Sequence, residues 1–134
     1  MAEEQESLTA FGRMLLEFLP TDLVFPSRVA GVAARVGARM ETVVGGRALL
    51  EKLREAETAD TLVLLDLSTA QIDPAQLIAT LKIQSPPPRA IIAFGPHVHE
   101  AKLAAARTAG CDLVLSRGQF DAQIGAILEQ FVAH

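Results

Sequence analysis

The sequence contains no tryptophan, no tyrosine and only one cysteine, Cys111. A single cysteine excludes an internal disulfide framework and a cysteine-rich zinc site, which agrees with a reducing compartment. The six phenylalanines are the only aromatic side chains, so a stacking platform for bases or an aromatic sugar cleft is disfavoured. We expect Cys111 to be a buried apolar residue.

Long apolar runs and excess positive charge are also missing. The longest apolar runs, such as Ala90 to Phe94, are too short to cross a bilayer, so no membrane association is predicted. The acidic N-terminus, Met1 to Glu6, is unlike a secretory signal, and we therefore expect a cytoplasmic protein. A net charge of -4 argues against binding to nucleic acid.

A chain of 134 residues, half of them hydrophobic, is long enough to bury one core. The segment Ser7 to Leu19 places Leu8, Phe11, Leu15 and Phe18 at helical spacing and is followed by a proline. This pattern predicts an appended amphipathic helix within residues 1–21 and one folded domain over residues 22–134. Whether the helix packs on its own domain or on a partner stays open.

Short β-branched or leucine-rich runs alternate with helical patterns through the rest of the sequence. The runs predict five strands, at Leu23 to Phe25, Met40 to Val44, Leu62 to Leu65, Ile91 to Phe94 and Leu113 to Leu115. Helices are predicted to begin at the cap Ser27, after Gly46, at Asp73-Pro74, near Val98 and near Gln119. This alternation predicts a parallel sheet with helices on both faces.

Two segments resemble the receiver domains of response regulators. Leu62-Val-Leu-Leu-Asp66 is similar to the third receiver strand, which ends in the phosphoacceptor aspartate, and Ala109 to Arg117 resembles the fifth strand, with Arg117 in place of the family's lysine. The resemblance covers about Leu23 to Val132. It implies a flavodoxin-like, CheY-like α/β/α fold whose five parallel strands have the order 2-1-3-4-5.

The resemblance also implies a phosphotransfer site that this sequence lacks in part. Receivers hold Mg²⁺ with an acidic pair after the first strand and carry a hydroxyl residue after the fourth, because the metal offsets the repulsion between two anions. On the predicted strands, Pro26 and Ser27 stand in place of the acids and Gly95 in place of the hydroxyl residue. We expect Arg117 to pair with Asp66 through its planar guanidinium.

These differences predict a pseudo-receiver. Asp66 would be a vestigial phosphoacceptor, with no bound metal, no cofactor and no enzymatic activity, and the domain would act in signal transduction by contacting a protein partner or a second copy. Receivers commonly use the surface of the fourth helix, the fifth strand and the fifth helix. The polar residues predicted on that surface are His99, Lys102, Arg107, Asp112, Asp121 and Gln123.

Two other functions are compatible with the same sheet edge. The first is a sensor of a small anion, bound in a crevice formed by Ser27, Asp66, Gly95 and Arg117. The second is a hydrolytic triad of Ser27, Asp66 and His97, which the absence of a nucleophile-elbow motif disfavours.

Overall fold

The computed structural model describes residues 13–18, 22, 24–55, 60–68 and 73–132. Strands and helices alternate along the chain as β1 (Arg13–Glu17), α1 (Val24–Arg35), β2 (Arg39–Val43), α2 (Gly46–Arg54), β3 (Thr61–Asp66), α3 (Pro74–Lys82), β4 (Ala90–Gly95), α4 (Glu100–Ala109), β5 (Leu113–Ser116) and α5 (Arg117–Val132). The strands form one parallel sheet in the order β2-β1-β3-β4-β5. The predicted flavodoxin-like fold and strand order are confirmed.

The first strand lies earlier in the chain than predicted. Arg13–Glu17 pairs with both β2 and β3, whereas α1 begins at Val24, inside the segment predicted as the first strand. The predicted N-terminal helix is therefore wrong over residues 13–17, and its residues before Arg13 lie outside the described part of the chain. Because β1 is an inner strand of the sheet, the predicted domain boundary after residue 21 is wrong as well.

Burial explains why this short segment forms a strand. Met14, Leu15 and Leu16 are each 0% exposed, as expected for an inner strand covered on both faces. Met14 and Leu16 belong to the core cluster that includes residues of α1 and α5, and Leu15 belongs to the cluster that includes residues of α2, α3 and α4. The strand therefore contributes to both core layers, and the coincidental helical spacing of its apolar residues misled the sequence-based prediction.

The helix starts follow local capping chemistry. Asp73 caps α3 as predicted, with its Oδ1 atom accepting a hydrogen bond from the Gln76 amide at 3.3 Å. Ser27, which was predicted to cap the first helix, lies instead inside α1. The first turn of α1 is bonded by Asp22, whose Oδ1 atom accepts a hydrogen bond from the Phe25 amide at 3.1 Å. Over the described ranges, no helix is long and apolar enough to cross a membrane.

Candidate functional site at the carboxyl edge of the sheet

Two buried carboxylates end neighbouring strands of the sheet. Glu17 is the last residue of β1 and Asp66 the last residue of β3, and in the parallel pairing of these strands Glu17 lies opposite Leu65. Both acidic residues are only 1% exposed. Since the carboxyl ends of parallel strands meet at one edge, where open α/β sheets bind ligands, this edge is the candidate functional site.

The acid at the end of β1 corrects the sequence analysis. Pro26 and Ser27, predicted to follow the first strand, lie within α1, where Pro26 is buried and Ser27 is exposed. The residues that actually end β1 and follow it are Glu17 and Phe18. The signal that could have revealed Glu17 is an apolar run closed by an acid, the same pattern that identified Asp66.

Asp66 is held by the turn that follows its strand. One oxygen of its carboxylate, Oδ1, accepts hydrogen bonds from the Ser68 amide at 3.0 Å and from the Ser68 hydroxyl. The next carbonyl, that of Leu67, accepts a hydrogen bond from the Lys102 ammonium at 3.2 Å. Lys102, which was predicted to lie on the partner surface, thus reaches from α4 to the candidate site.

The end of β4 is closely packed against the same turn. The Leu67 amide donates to the Phe94 carbonyl at 2.8 Å, and Gly95 is buried beside it. A Cβ atom added at Gly95 would lie 3.2 Å from the Cβ atom of Leu67, closer than ordinary van der Waals contact. A serine or threonine at this position therefore requires Leu67 to move.

Arg117 does not pair with Asp66, so that prediction is wrong. Its guanidinium forms an ion pair with Asp22 and lies over the ring of Phe25, 4.4 Å from the ring centroid. Arg117 is the first residue of α5, which places it close to the chain segment leading into α1. The guanidinium predicted to bind an anion in the crevice is therefore already paired with the Asp22 carboxylate. Ser27, another residue of the predicted crevice, is exposed on α1.

Three residues of the predicted partner surface have roles within the domain. The Oδ2 atom of Asp112 accepts from the Ile91 amide at 2.7 Å, which fixes the connection between α4 and β5. Asp121 forms a 3.1 Å ion pair with Arg28 and so links α5 to α1. Together with Lys102, these residues make contacts within the domain.

The rest of that surface contains an open pocket of about 510 Å³. Of the predicted partner residues, Arg107 and Gln123 are exposed, and His99 is half-buried immediately before α4. Ser116 and Gln119 line one side of the pocket and cap α5. The Ser116 hydroxyl accepts a hydrogen bond from the Gln119 amide at 3.2 Å, and the Gln119 side-chain oxygen accepts one from the Ser116 amide at 3.0 Å. The pocket is lined by His97, Glu100, Leu103, Ala104, Arg107, Ser116 and Gln119.

The side chains at the sheet edge do not fit a magnesium site of the kind that the receiver resemblance implies. Mg²⁺ prefers an octahedral shell of oxygen ligands, held in proteins by carboxylates. Within the described ranges, no group of three or more acidic, histidine or cysteine side chains could hold a metal ion. The residue after Glu17 is Phe18, which packs against the core, and the ammonium of Lys102 lies at the same edge.

Comparisons with protein-family models and with curated proteins give no match. Among solved structures, the chain resembles the receiver domain of a signal transduction histidine kinase from Syntrophus aciditrophicus, with 18% identity and a TM-score of 0.72 over 91% of this chain and 90% of that one. It also resembles the chemotaxis response regulator CheY4 of Vibrio cholerae (14% identity, TM-score 0.71, 90% and 98%). A third similar structure is the beryllofluoride-activated NtrC4 receiver domain dimer, with 19% identity and a TM-score of 0.67 over 89% of this chain and 98% of that one. The chain therefore has the fold of the response-regulator receiver domains.

Proposed function

We propose that this domain is a pseudo-receiver that acts in signal transduction through protein contacts and is not phosphorylated at Asp66 in a magnesium-dependent reaction. The observation that carries the proposal is the composition of the sheet edge. Glu17 and Asp66 are buried there, Phe18 follows Glu17, and a lysine ammonium lies against the turn after β3.

Electrostatics explains why this edge is unsuited to phosphoryl transfer. A phosphoryl donor is anionic, and its approach to two buried carboxylates is unfavourable unless a divalent cation neutralises the developing charge. Neither the carboxylates nor the aromatic side chain of Phe18 completes a metal shell. Gly95, packed against Leu67, also offers no hydroxyl to bind a phosphoryl oxygen.

The pocket between α4 and α5 supports a function in binding a protein. It presents both a cation and an acid, Arg107 and Glu100. Val98, which follows the pocket residue His97 in the sequence, is 71% exposed. Apolar and charged groups combined on one concave surface are suited to a specific protein contact. The NtrC4 receiver was solved as a dimer, and a second copy of this chain is accordingly one partner to test.

Phosphorylation can be tested on the intact protein. The purified chain is incubated with acetyl phosphate and Mg²⁺ and then weighed by mass spectrometry, with Asp66→Asn treated in parallel. We expect no phosphoryl adduct on either protein. An adduct on the wild type that is absent from Asp66→Asn would overturn the proposal.

Self-association can be tested at the pocket. We expect a concentration-dependent dimer in light scattering that is weakened by Arg107→Glu, because this change reverses the charge in the pocket. Arg47→Glu is the matched control, since Arg47 is exposed on α2, away from the pocket. A monomer at all concentrations would exclude the second copy as the partner, and equal weakening by both variants would contradict the assignment of the surface.

A further inference from the structure

We infer that the ammonium of Lys102 is the resident cation of the sheet edge and fills the charge role that a divalent metal has in a magnesium-binding site. The Lys102 Nζ atom lies 3.2 Å from the Leu67 carbonyl oxygen, one residue beyond Asp66. Lys102 itself is half-buried in the first turn of α4. A helix therefore places this charge at the turn that directly follows Asp66, without a ligand from outside the chain.

The need for such a cation follows from burial. Glu17 and Asp66 are both 1% exposed, and a buried carboxylate is strongly destabilising unless an opposite charge or hydrogen bonds compensate it. The hydrogen bonds from Ser68 stabilise one oxygen of Asp66. These hydrogen bonds carry no net charge, so a cation at the same turn stabilises the buried carboxylates further.

Two arginines, Arg117 and Arg28, form ion pairs with other carboxylates. Arg117 forms its ion pair with Asp22, and Arg28 forms its ion pair with Asp121 at 3.1 Å. Lysine also suits a narrow site better than arginine, because its compact ammonium ends a flexible four-carbon stem whose methylenes can pack against apolar surface. Lys102 thus provides the positive charge and also ties α4 to the turn after β3.

This inference rests on the proposed function and names the group that replaces the metal. It predicts a specific pattern of stability. Lys102→Met removes the ammonium but keeps an unbranched apolar stem, so it should lower the urea midpoint. Adding Asp66→Asn removes one of the two negative charges and keeps the oxygen that accepts from Ser68. The double variant should therefore recover roughly half or more of the lost midpoint.

The control uses an exposed cation that belongs to neither site. Arg35→Met combined with Asp66→Asn should give a midpoint that is the sum of the two single effects, because Arg35 is exposed in the last turn of α1. Additive behaviour of Lys102→Met and Asp66→Asn would overturn the inference. If Lys102→Met alone does not fold, a folded double variant would support the charge role, and an unfolded double variant would overturn it.

A magnesium titration separates this inference from the proposed function. We expect millimolar Mg²⁺ to leave the Tm of the wild type unchanged relative to NaCl of equal ionic strength. A rise in the wild-type Tm would contradict both the inference and the proposed function. An unchanged Tm together with additive variants would contradict only the role of Lys102.

Discussion

Arg117 pairs with Asp22 and thereby joins the first residue of α5 to the segment that leads into α1. The same carboxylate bonds the Phe25 amide, and the ring of Phe25 lies under the guanidinium. Asp22 thus combines a helix-start hydrogen bond with an ion pair, and the two contributions can be separated by substitution.

Asp22→Ala removes both contacts, whereas Asp22→Asn keeps an acceptor for the Phe25 amide and removes the charge. The ion pair is only partly buried, with side chains 32% and 20% exposed, so its share is small. We expect Asp22→Ala to lower the free energy of unfolding by about 1–2 kcal/mol and Asp22→Asn by about half as much. Urea denaturation measures both, and an equal loss in the two variants would contradict this division.

Gly95→Ala should destabilise the domain by roughly 1–2 kcal/mol, because its Cβ atom would be pressed against Leu67. Gly125→Ala is the matched control. Gly125 lies inside α5 with nothing within 4 Å of an added Cβ atom, so alanine should stabilise the helix by about 0.5–1 kcal/mol. Effects of the same sign in both variants, measured by thermal unfolding, would refute the packing argument.

Gly110→Ala should also be destabilising, for a conformational reason. Gly110 ends α4 in the left-handed conformation with φ 99°, and its carbonyl accepts from the Lys82 ammonium at 3.1 Å. Alanine at this φ is strained and its Cβ atom would collide with that ammonium, so we expect a loss of about 1–2 kcal/mol. Lys82→Met isolates the lysine contribution, and a loss from it as large as that from Gly110→Ala would argue against backbone strain.

Cys111 should be unreactive in the native protein. Burial, aided by the negative charge of Asp112 and opposed by Lys82, raises the pKa of its thiol to about 12. The thiol therefore stays protonated at mildly alkaline pH, and only the thiolate is nucleophilic. We expect iodoacetamide to alkylate the native protein roughly a hundredfold or more slowly than the urea-unfolded chain. Comparable rates in the two states would contradict this.

The sequence predicted β2 to β5 well because each is a short run rich in β-branched or apolar residues, and it placed Asp66 and Gly95 correctly at strand ends. It missed β1 because Leu15 and its apolar neighbours fit a helical stripe as well as a covered strand. Distinguishing the two requires knowing that the segment pairs with β2 and β3. Because β1 was missed, the sequence did not reveal that Glu17 ends a strand at the candidate site.

The partners of the charged side chains were not predictable from the order of elements. Arg117 was placed at the correct strand end, but its ion pair depends on Asp22, which immediately precedes the segment wrongly predicted as the first strand. Lys102 fits the polar surface of α4 by sequence position, and only the direction of its side chain shows that it reaches the Leu67 carbonyl. Side-chain direction is a tertiary property that periodicity does not contain.

Leu67 is fully buried and packs against Gly95, so the turn after β3 and the end of β4 are in close contact. Any movement of these two strand ends relative to each other would have to break this packing and the hydrogen bond from the Leu67 amide to the Phe94 carbonyl.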